Sequence, residues 1–168
     1  MSDPLPTLED AEEAFASGLL DDALAICEVL VERDPDDVAA LYLMAEAMLD
    51  LDEFEGAEEV FRDVLRFEPD SAGCYTGLGV ALFELCRFDE ARRALEMAND
   101  LDPRIGESRM YLGYFHERRG EFDKALECYE SAVELAPDRF VIPQTLTDEQ
   151  LQETAREVVT KLPAPLQD

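Results

Sequence analysis

The chain has 168 residues, and 47% of them are hydrophobic, which is enough for one folded domain or a short array of repeats. Forty-one acidic residues against fourteen basic ones give a formal net charge of −27 at pH 7, a field that excludes nucleic acid and anionic membrane surfaces as partners. The same field favours basic partners, although acidic faces also keep helical proteins soluble without any ligand, which is our first interpretation of the charge.

The acidic residues are concentrated in the first half of the chain. Residues 1–37 carry a net charge of −11, and residues 38–71 carry −8. The net charge falls to −2 over residues 72–105, to −3 over 106–139 and to −3 over 140–168. Electrostatic attraction of a basic partner is therefore expected to be strongest at the N-terminal half.

Cysteine usage and the N-terminal residues predict a cytoplasmic location. Residues 1–4 lack the basic and apolar stretches of a secretion signal, and no run approaches the eighteen or so apolar residues of a membrane span. The cysteines are Cys27, Cys74, Cys86 and Cys128, without CxxC pairing or metal-ligand spacing. We therefore expect reduced thiols.

Prolines recur at a fixed interval of thirty-four residues, which is typical of stacked helical repeats. These are Pro35, Pro69, Pro103 and Pro137. If each proline is position thirty-two of a unit, the units are residues 4–37, 38–71, 72–105 and 106–139. Position twenty is then a small residue in every unit, as the close crossing of two helices requires: Ala23, Ala57, Ala91 and Ala125. We expect two antiparallel helices in each unit.

The first unit departs from the others, because Thr7 and Asp10 stand where apolar residues are expected. Its first helix is therefore predicted to be short or frayed. A residue of positive φ is expected at the turn between the two helices of each unit: Gly18, Asp52, Cys86 and Gly120. Each proline ends a second helix, and the acidic or hydroxyl residues that follow it can cap the next helix.

The fourth unit carries the most complete motifs. It contains Tyr111-Leu112-Gly113-Tyr114, Gly120-Glu121-Phe122-Asp123-Lys124-Ala125 and Ala132-Val133-Glu134-Leu135-Ala136-Pro137. With these motifs the chain resembles the tetratricopeptide repeat family over residues 4–139. The resemblance implies an all-α solenoid of about four helix-turn-helix units plus a C-terminal helix, and a protein that holds partners rather than one that catalyses a reaction.

In this family the first helices of successive units line a concave groove, at positions two, five, six, nine, twelve and thirteen. Carried over, the resemblance implies a groove made of Tyr42, Glu46, Leu49, Asp50, Thr76, Val80, Phe83, Glu84, Met110, Tyr111, Tyr114 and Arg118. This is an aromatic floor with acids along one margin, which suits an amphipathic helix or a basic and hydrophobic segment. About half of the apolar set is expected to pack against neighbouring helices. The three tyrosines are the strongest candidates for partner contact, because tyrosine suits a half-wet surface.

The groove lacks the cations that some family members use. Members that grip the C-terminal carboxylate of chaperones do so with lysine, asparagine and arginine side chains. The corresponding places here hold Leu8, Glu12, Leu43, Gly73 and Gly77, so a chaperone-tail adaptor is not expected. Gly73 and Gly77 each cost roughly 1 kcal/mol in a helix. They either let the backbone of a ligand approach closely or soften the first helix of the third unit, and we favour the second.

No residue pattern predicts catalysis, a cofactor or a metal site. His116 is the only histidine, and a packed imidazole is favoured over a catalytic one because no second histidine or cysteine lies at a workable spacing. The acidic clusters lack the glycine and the ligand order of a calcium loop, and no phosphate-binding loop or nucleophile elbow occurs. The chain is predicted not to be an enzyme.

Residues 140–168 follow a different pattern. Phe140 to Pro143 is an apolar extended run, Thr147 to Gln150 is a capping box, and apolar residues then recur at helical spacing. The first interpretation is a connector and a C-terminal helix that caps or links the fourth unit. In the second, Leu151–Asp168 resembles the start of a bacterial zincin-like metallopeptidase domain, without the HExxH helix that would bind zinc.

The leading functional interpretation is a non-catalytic scaffold or adaptor that binds basic or amphipathic proteins or peptides through the groove. The alternative is an N-terminal regulatory domain of a longer bacterial protein with the metallopeptidase-like domain. Bacterial proteins with that layout include regulators of cell polarity that act beside a Ras-like small GTPase and its activating protein, which makes these a candidate class of partner. A third interpretation is self-association through the end faces of the stack.

Overall fold

Paired α-helices make up residues 5–143, the part of the chain that this computed structural model describes. The helices are α1 (Leu8–Ala16), α2 (Leu20–Arg33), α3 (Val38–Asp50), α4 (Phe54–Phe67), α5 (Ala72–Glu84), α6 (Phe88–Leu101), α7 (Gly106–Arg118) and α8 (Phe122–Leu135). Each predicted unit contains one pair, and each helix packs against its neighbours in chain order. Residues 5–143 contain no strand, so the all-α repeat fold predicted from the sequence is confirmed. The predicted C-terminal helix and the metallopeptidase-like segment lie in residues 144–168, outside the described residues.

The turn inside each pair has the same backbone geometry in all four units. The residues of positive φ are Gly18 at 74°, Asp52 at 61°, Cys86 at 59° and Gly120 at 74°, as predicted. The next amide then donates to the carbonyl five residues earlier, with N···O distances of 2.8–2.9 Å: Leu19 to Ala14, Glu53 to Met48, Arg87 to Leu82 and Glu121 to His116. This bond satisfies a carbonyl at the end of the first helix and starts the second helix in the opposite direction.

Short polar side chains begin the first helices of the first three units, whereas α7 begins after Ile105, which makes no side-chain cap. Asp37 accepts a hydrogen bond from the amide three residues later at 3.1 Å, and Ser71 accepts the equivalent bond at 3.5 Å. In the first unit, Thr7 and Asp10 form a reciprocal cap at the start of α1. Because α1 has nine residues and the other first helices have thirteen, the predicted short helix is confirmed. Capping explains why its two unexpected residues are polar.

The buried contact between helices, which we call the seam, uses the same two positions in every unit. Positions twenty and twenty-seven are at most 7% exposed: Ala23, Ala57, Ala91, Ala125, Leu30, Val64, Ala98 and Ala132. Small side chains at position twenty let the backbones of paired helices approach closely, as the sequence predicted. Burial of this apolar surface is the main term that stabilises a stack of repeats.

Glycines in α5 make room for large side chains of the seam. A Cβ atom at Gly77 would overlap the Phe61 ring, and one at Gly79 would lie 2.5 Å from Leu95 Cγ. Phe61 and Leu95 are completely buried, so neither can move aside. At Gly73, a Cβ atom would lie 2.9 Å from the hydroxyl oxygen of a tyrosine of α3. The expectation that Gly77 softens α5 is therefore corrected, because close packing requires glycine there. At Gly73 the near atom is the end of one side chain, so the expectation for Gly73 stays a prediction.

Candidate partner-binding groove

A cleft of about 350 Å³ lies between the first helices of the last three units. The helices α3, α5 and α7 and the turn before α4 contribute its walls. It is lined by Leu49, Asp50, Asp52, Phe54, Val80, Glu84, Glu107 and Tyr111. Five residues that the sequence placed in the groove therefore lie together. We use "the groove" for this cleft and the adjoining Tyr42 and Glu46.

Carboxylates crowd the groove. Burial, followed by repulsion from Glu107, raises the pKa of Glu46 to about 7, and Asp50 adds to the shift. The neighbouring Tyr42 hydroxyl and Arg139 act in the opposite direction. Burial also raises the pKa of Glu107, which is repelled by Asp50 and attracted by Arg139. Additional positive charge in the groove would favour the ionised form of these acids.

Aromatic rings adjoin the carboxylates. Phe83 stands edge-on to Tyr111, with ring centroids 5.1 Å apart, and edge-on to Phe115 at 5.6 Å. Tyr111 and Tyr114 are 5.7 Å apart in the same orientation. Burial, followed by repulsion from Glu84, raises the pKa of Tyr111 to about 12, so its hydroxyl remains a proton donor at neutral pH. The groove thus combines aromatic surface with hydrogen-bond donors and negative charge.

Three of the predicted groove residues are buried. Thr76, Val80 and Met110 are 4%, 6% and 5% exposed. The Thr76 hydroxyl already donates to the Ala72 carbonyl at 2.9 Å, and Met110 packs in a core cluster with Tyr129. Val80 still lines the cleft. Thr76 and Met110 therefore offer little side-chain surface to a partner in this structure.

Other predicted residues lie beside the cleft and not in its lining. The Arg118 guanidinium carbon sits 4.5 Å from the centroid of the Phe88 ring, where the ring quadrupole attracts it. Tyr114 is tilted against Phe83, with centroids 6.2 Å apart. Phe83, like Leu49 in the lining of the cleft, is partly buried against the core, as expected for part of the apolar set.

Four groove residues were missed by the sequence reasoning: Asp52, Phe54, Glu107 and Arg139. Glu107 occupies position two of its unit, a position that the family rule includes, so the rule applied in full would have found it. Asp52 lies in the turn before α4 and Phe54 is the first residue of α4, whereas the rule covers only first helices. Arg139 reaches Glu107 only because of the path that the chain takes after α8.

The remaining titratable groups near the groove form ordinary polar contacts. His116 Nδ1 lies 2.7 Å from Glu121 Oε2, and Lys124 Nζ lies 3.1 Å from the same oxygen. In residues 5–143, no group of three or more His, Cys, Asp or Glu side chains could hold a metal ion. Over the same residues, none of the helices has the length and apolar character needed to cross a membrane.

Known proteins share this helical fold. The Arabidopsis thaliana protein CTR9 homolog is 25% identical over 178 residues, which take in 97% of this chain and 16% of that protein, so the chain spans about a sixth of its relative. The solved structure of MamA (41-end) from Desulfovibrio magneticus RS-1 matches with a TM-score of 0.68 at 21% identity, over 79% of this chain and 75% of that one. TTC0263, a thermophilic TPR protein in Thermus thermophilus, matches with a TM-score of 0.67 at 26% identity, over 77% and 73%.

Two models of one family, the tetratricopeptide repeat, match residues 14–73 and 76–140, which together are more than half of the chain. Neither reaches residues 141–168, and nothing in the comparisons supports the metallopeptidase-like resemblance of that segment. The chain belongs to the tetratricopeptide repeat family.

Proposed function

We propose that this protein is a non-catalytic scaffold or adaptor whose groove binds a basic, amphipathic segment of a partner protein. Proteins of the tetratricopeptide repeat family are generally scaffolds for protein interaction, and the fold presents a preformed surface that needs little reordering to bind. Nothing among the described residues or the comparisons points to an enzyme.

The charge of the groove is the observation that carries the proposal. Four carboxylates from three different helices face one another across it: Glu46, Asp50, Glu84 and Glu107. Among the ion pairs of residues 5–143, a single one, between Arg139 and Glu107, involves these four acids. A lysine or arginine side chain of a partner would relieve their mutual repulsion, whereas an acidic partner would increase it.

The aromatic floor favours a partner that has apolar residues as well as positive charge. Tyr111 and Phe83 offer ring surface beside the acids, so a partner with apolar residues next to its cations gains from both. A cleft of about 350 Å³ holds individual side chains, and the rest of a bound segment would lie on the surrounding helices. An amphipathic helix meets these requirements with basic and apolar residues on adjacent faces.

The test uses a fluorescein-labelled amphipathic helical peptide of lysine, leucine and alanine, with binding measured by fluorescence anisotropy. The double variant Asp50→Lys with Glu84→Lys reverses two exposed groove charges. We expect it to bind about tenfold more weakly than the wild type, the combined effect of two close charge pairs. A peptide with glutamate in place of lysine should not bind.

The matched control is Glu59→Lys with Glu127→Lys, which changes the net charge equally at exposed sites on α4 and α8. This variant should stay within about twofold of the wild type at physiological salt, because screening suppresses charge effects beyond about 8 Å. Equal losses in both double variants would show that the net charge attracts the peptide and that the groove does not bind it.

We further propose that the protein works in a reducing compartment such as the cytoplasm. Its four cysteines are free, and two of them, Cys27 and Cys74, are buried. Burial raises the pKa of Cys27 to about 11, so this thiol stays protonated and unreactive. A mass measurement under non-reducing conditions should give the mass of the monomer with four free thiols.

A further inference from the structure

The chain supplies a cation to its own groove. Arg139 Nη2 donates to Glu107 Oε1 at 2.9 Å, and the same guanidinium lowers the pKa of Glu46 on the opposite wall. The arginine side chain is 64% exposed, whereas the Glu107 side chain is 24% exposed. The guanidinium therefore approaches a half-buried carboxylate from the solvent side, as the side chain of a bound partner would.

Arg139 departs from the capping role that its repeat position has in the first two units, a role that Ile105 of the third unit does not have either. Position thirty-four is Asp37 in the first unit and Ser71 in the second, and both side chains cap the next helix. A guanidinium has no acceptor, so Arg139 cannot cap a helix. It turns back to α7 of its own unit, and the chain is held there by Phe140, whose ring lies 3.1 Å from the place of a Cβ atom at Gly106. The guanidinium carbon also lies 5.3 Å from the centroid of the Phe140 ring.

We propose that Arg139 occupies the place of a cationic side chain of the partner, an arginine or a lysine, and that binding displaces it from Glu107. The inference rests on the proposed function and assigns one contact within it. Because the arginine is largely exposed, the internal ion pair is weak and exchange costs little. A partner guanidinium can make the same charge-assisted hydrogen bond and, unlike Arg139, brings apolar neighbours to the aromatic floor.

The experiment measures the same labelled peptide against Arg139→Ala. Removal of the internal competitor should raise the affinity about two- to fivefold, the range of an exposed ion pair. The control is Arg66→Ala, which removes one charge from an exposed ion pair with Asp63 on α4. This control should raise the affinity by much less at physiological salt.

A second pair of variants separates competition at Glu107 from a general gain in negative charge. Glu107→Gln should bind the peptide more weakly than the wild type. In the Glu107→Gln background, Arg139→Ala should give no more gain than Arg66→Ala gives there. Circular dichroism and thermal melting establish that each variant is folded.

Three outcomes overturn the proposal. Equal gains from Arg139→Ala and Arg66→Ala would do so, as would a gain from Arg139→Ala that survives in the Glu107→Gln background. In both cases the wild type still binds through the groove, so the proposed function stands and only the role of Arg139 falls. If the wild type and every variant fail to bind the peptide, both fall together.

Discussion

The seam and the groove both place aromatic rings beside small residues. They differ in whether the four units carry the same type of residue at a given repeat position. In the seam, position twenty is alanine in all four units and is at most 3% exposed. In the groove, position nine is Glu46, Val80 or Tyr114, and position thirteen is Asp50, Glu84 or Arg118. Interior packing accepts a narrow range of volumes, whereas a surface position is free to present different chemistry.

The two regions also act on stability in opposite directions. Seam residues such as Phe61 and Leu95 are completely buried and stabilise the stack. Glu46 and Glu107 in the groove are partly buried acids with raised pKa values, so their ionisation opposes folding. Under the proposed function, a partner with positive charge would remove that penalty.

The largest effect is expected from Gly77→Ala in the seam. In a soft helix this change would stabilise the protein by about 1 kcal/mol, because alanine favours the helix. Here the added methyl group would overlap the buried Phe61 ring, and overpacking of this kind costs about 1–3 kcal/mol. We therefore expect a lower free energy of unfolding, measured by urea denaturation.

The control is Gly56→Ala on α4. A Cβ atom there would lie 3.2 Å from Met48 Sδ, a flexible side chain that can shift by a few tenths of an ångström. This variant should be more stable than the wild type by about 0.5–1 kcal/mol. If both glycine variants are stabilised, α5 is soft after all, and the contrast between seam and groove loses its main support.

An intermediate effect is expected from Glu46→Gln in the groove. The folded-state pKa of Glu46 is about 7, above its ordinary value of 4.5, so the folded state binds the proton more tightly. The stability that this proton contributes is present below pH 4.5 and is lost as the pH rises through 7. Glutamine keeps the shape without the charge. The free energy of unfolding of the variant should therefore rise relative to that of the wild type, by about 1–2 kcal/mol as the pH increases from 5 to 8.

Urea denaturation at both pH values measures this difference, and Glu59→Gln, at an exposed acid of α4, is the control. The groups that set the result are Tyr42 and Asp50 on the same helix, Glu107 on α7 and Arg139 after α8. If the free energy of unfolding varies with pH in the same way for Glu46→Gln and the wild type, ionisation of Glu46 does not destabilise the folded state. The acids of the groove would then not repel one another enough to select a partner by charge.

The repeat period predicted the fold because the paired helices of every unit pack through the same repeat positions. Ala91 and its counterparts could be found from spacing alone, since only a small residue fits where paired helices cross. The positive φ at Asp52 and Cys86 followed from their register with two glycines. For Gly77, spacing was not enough, because nothing in the sequence shows that Phe61 of another helix fills the space above it.

The groove could be predicted only in part, because register gives the face of a helix and not the depth of a side chain. Met110 lies at a groove position, yet it packs with Tyr129 in a buried cluster. The Tyr129 hydroxyl in turn donates to Glu117 Oε2 at 2.7 Å. The ion pair of Arg139 with Glu107 spans thirty-two residues and depends on the chain path after α8. Neither repeat rules nor local propensity describes such a contact.

The smallest effect is expected at the turns of the third and fourth units, whose residues of positive φ lie outside the lining of the groove. Cys86 is exposed and adopts a φ of 59°, a conformation that costs a residue with a Cβ atom about 1 kcal/mol or more. Cys86→Gly removes this strain but gives the unfolded chain more freedom, so the free energy of unfolding should rise by about 0.5 kcal/mol.

The matched variant is Gly120→Ala, at the equivalent turn of the fourth unit. Its free energy of unfolding should fall by about 1 kcal/mol, because the φ of 74° then becomes strained. Thermal and urea unfolding would measure both changes. Losses in both variants would mean that the thiol of Cys86 stabilises its turn by a contact beyond the backbone. A gain for Cys86→Gly and a loss for Gly120→Ala would show that repeat geometry determines the turns, as it determines the seam.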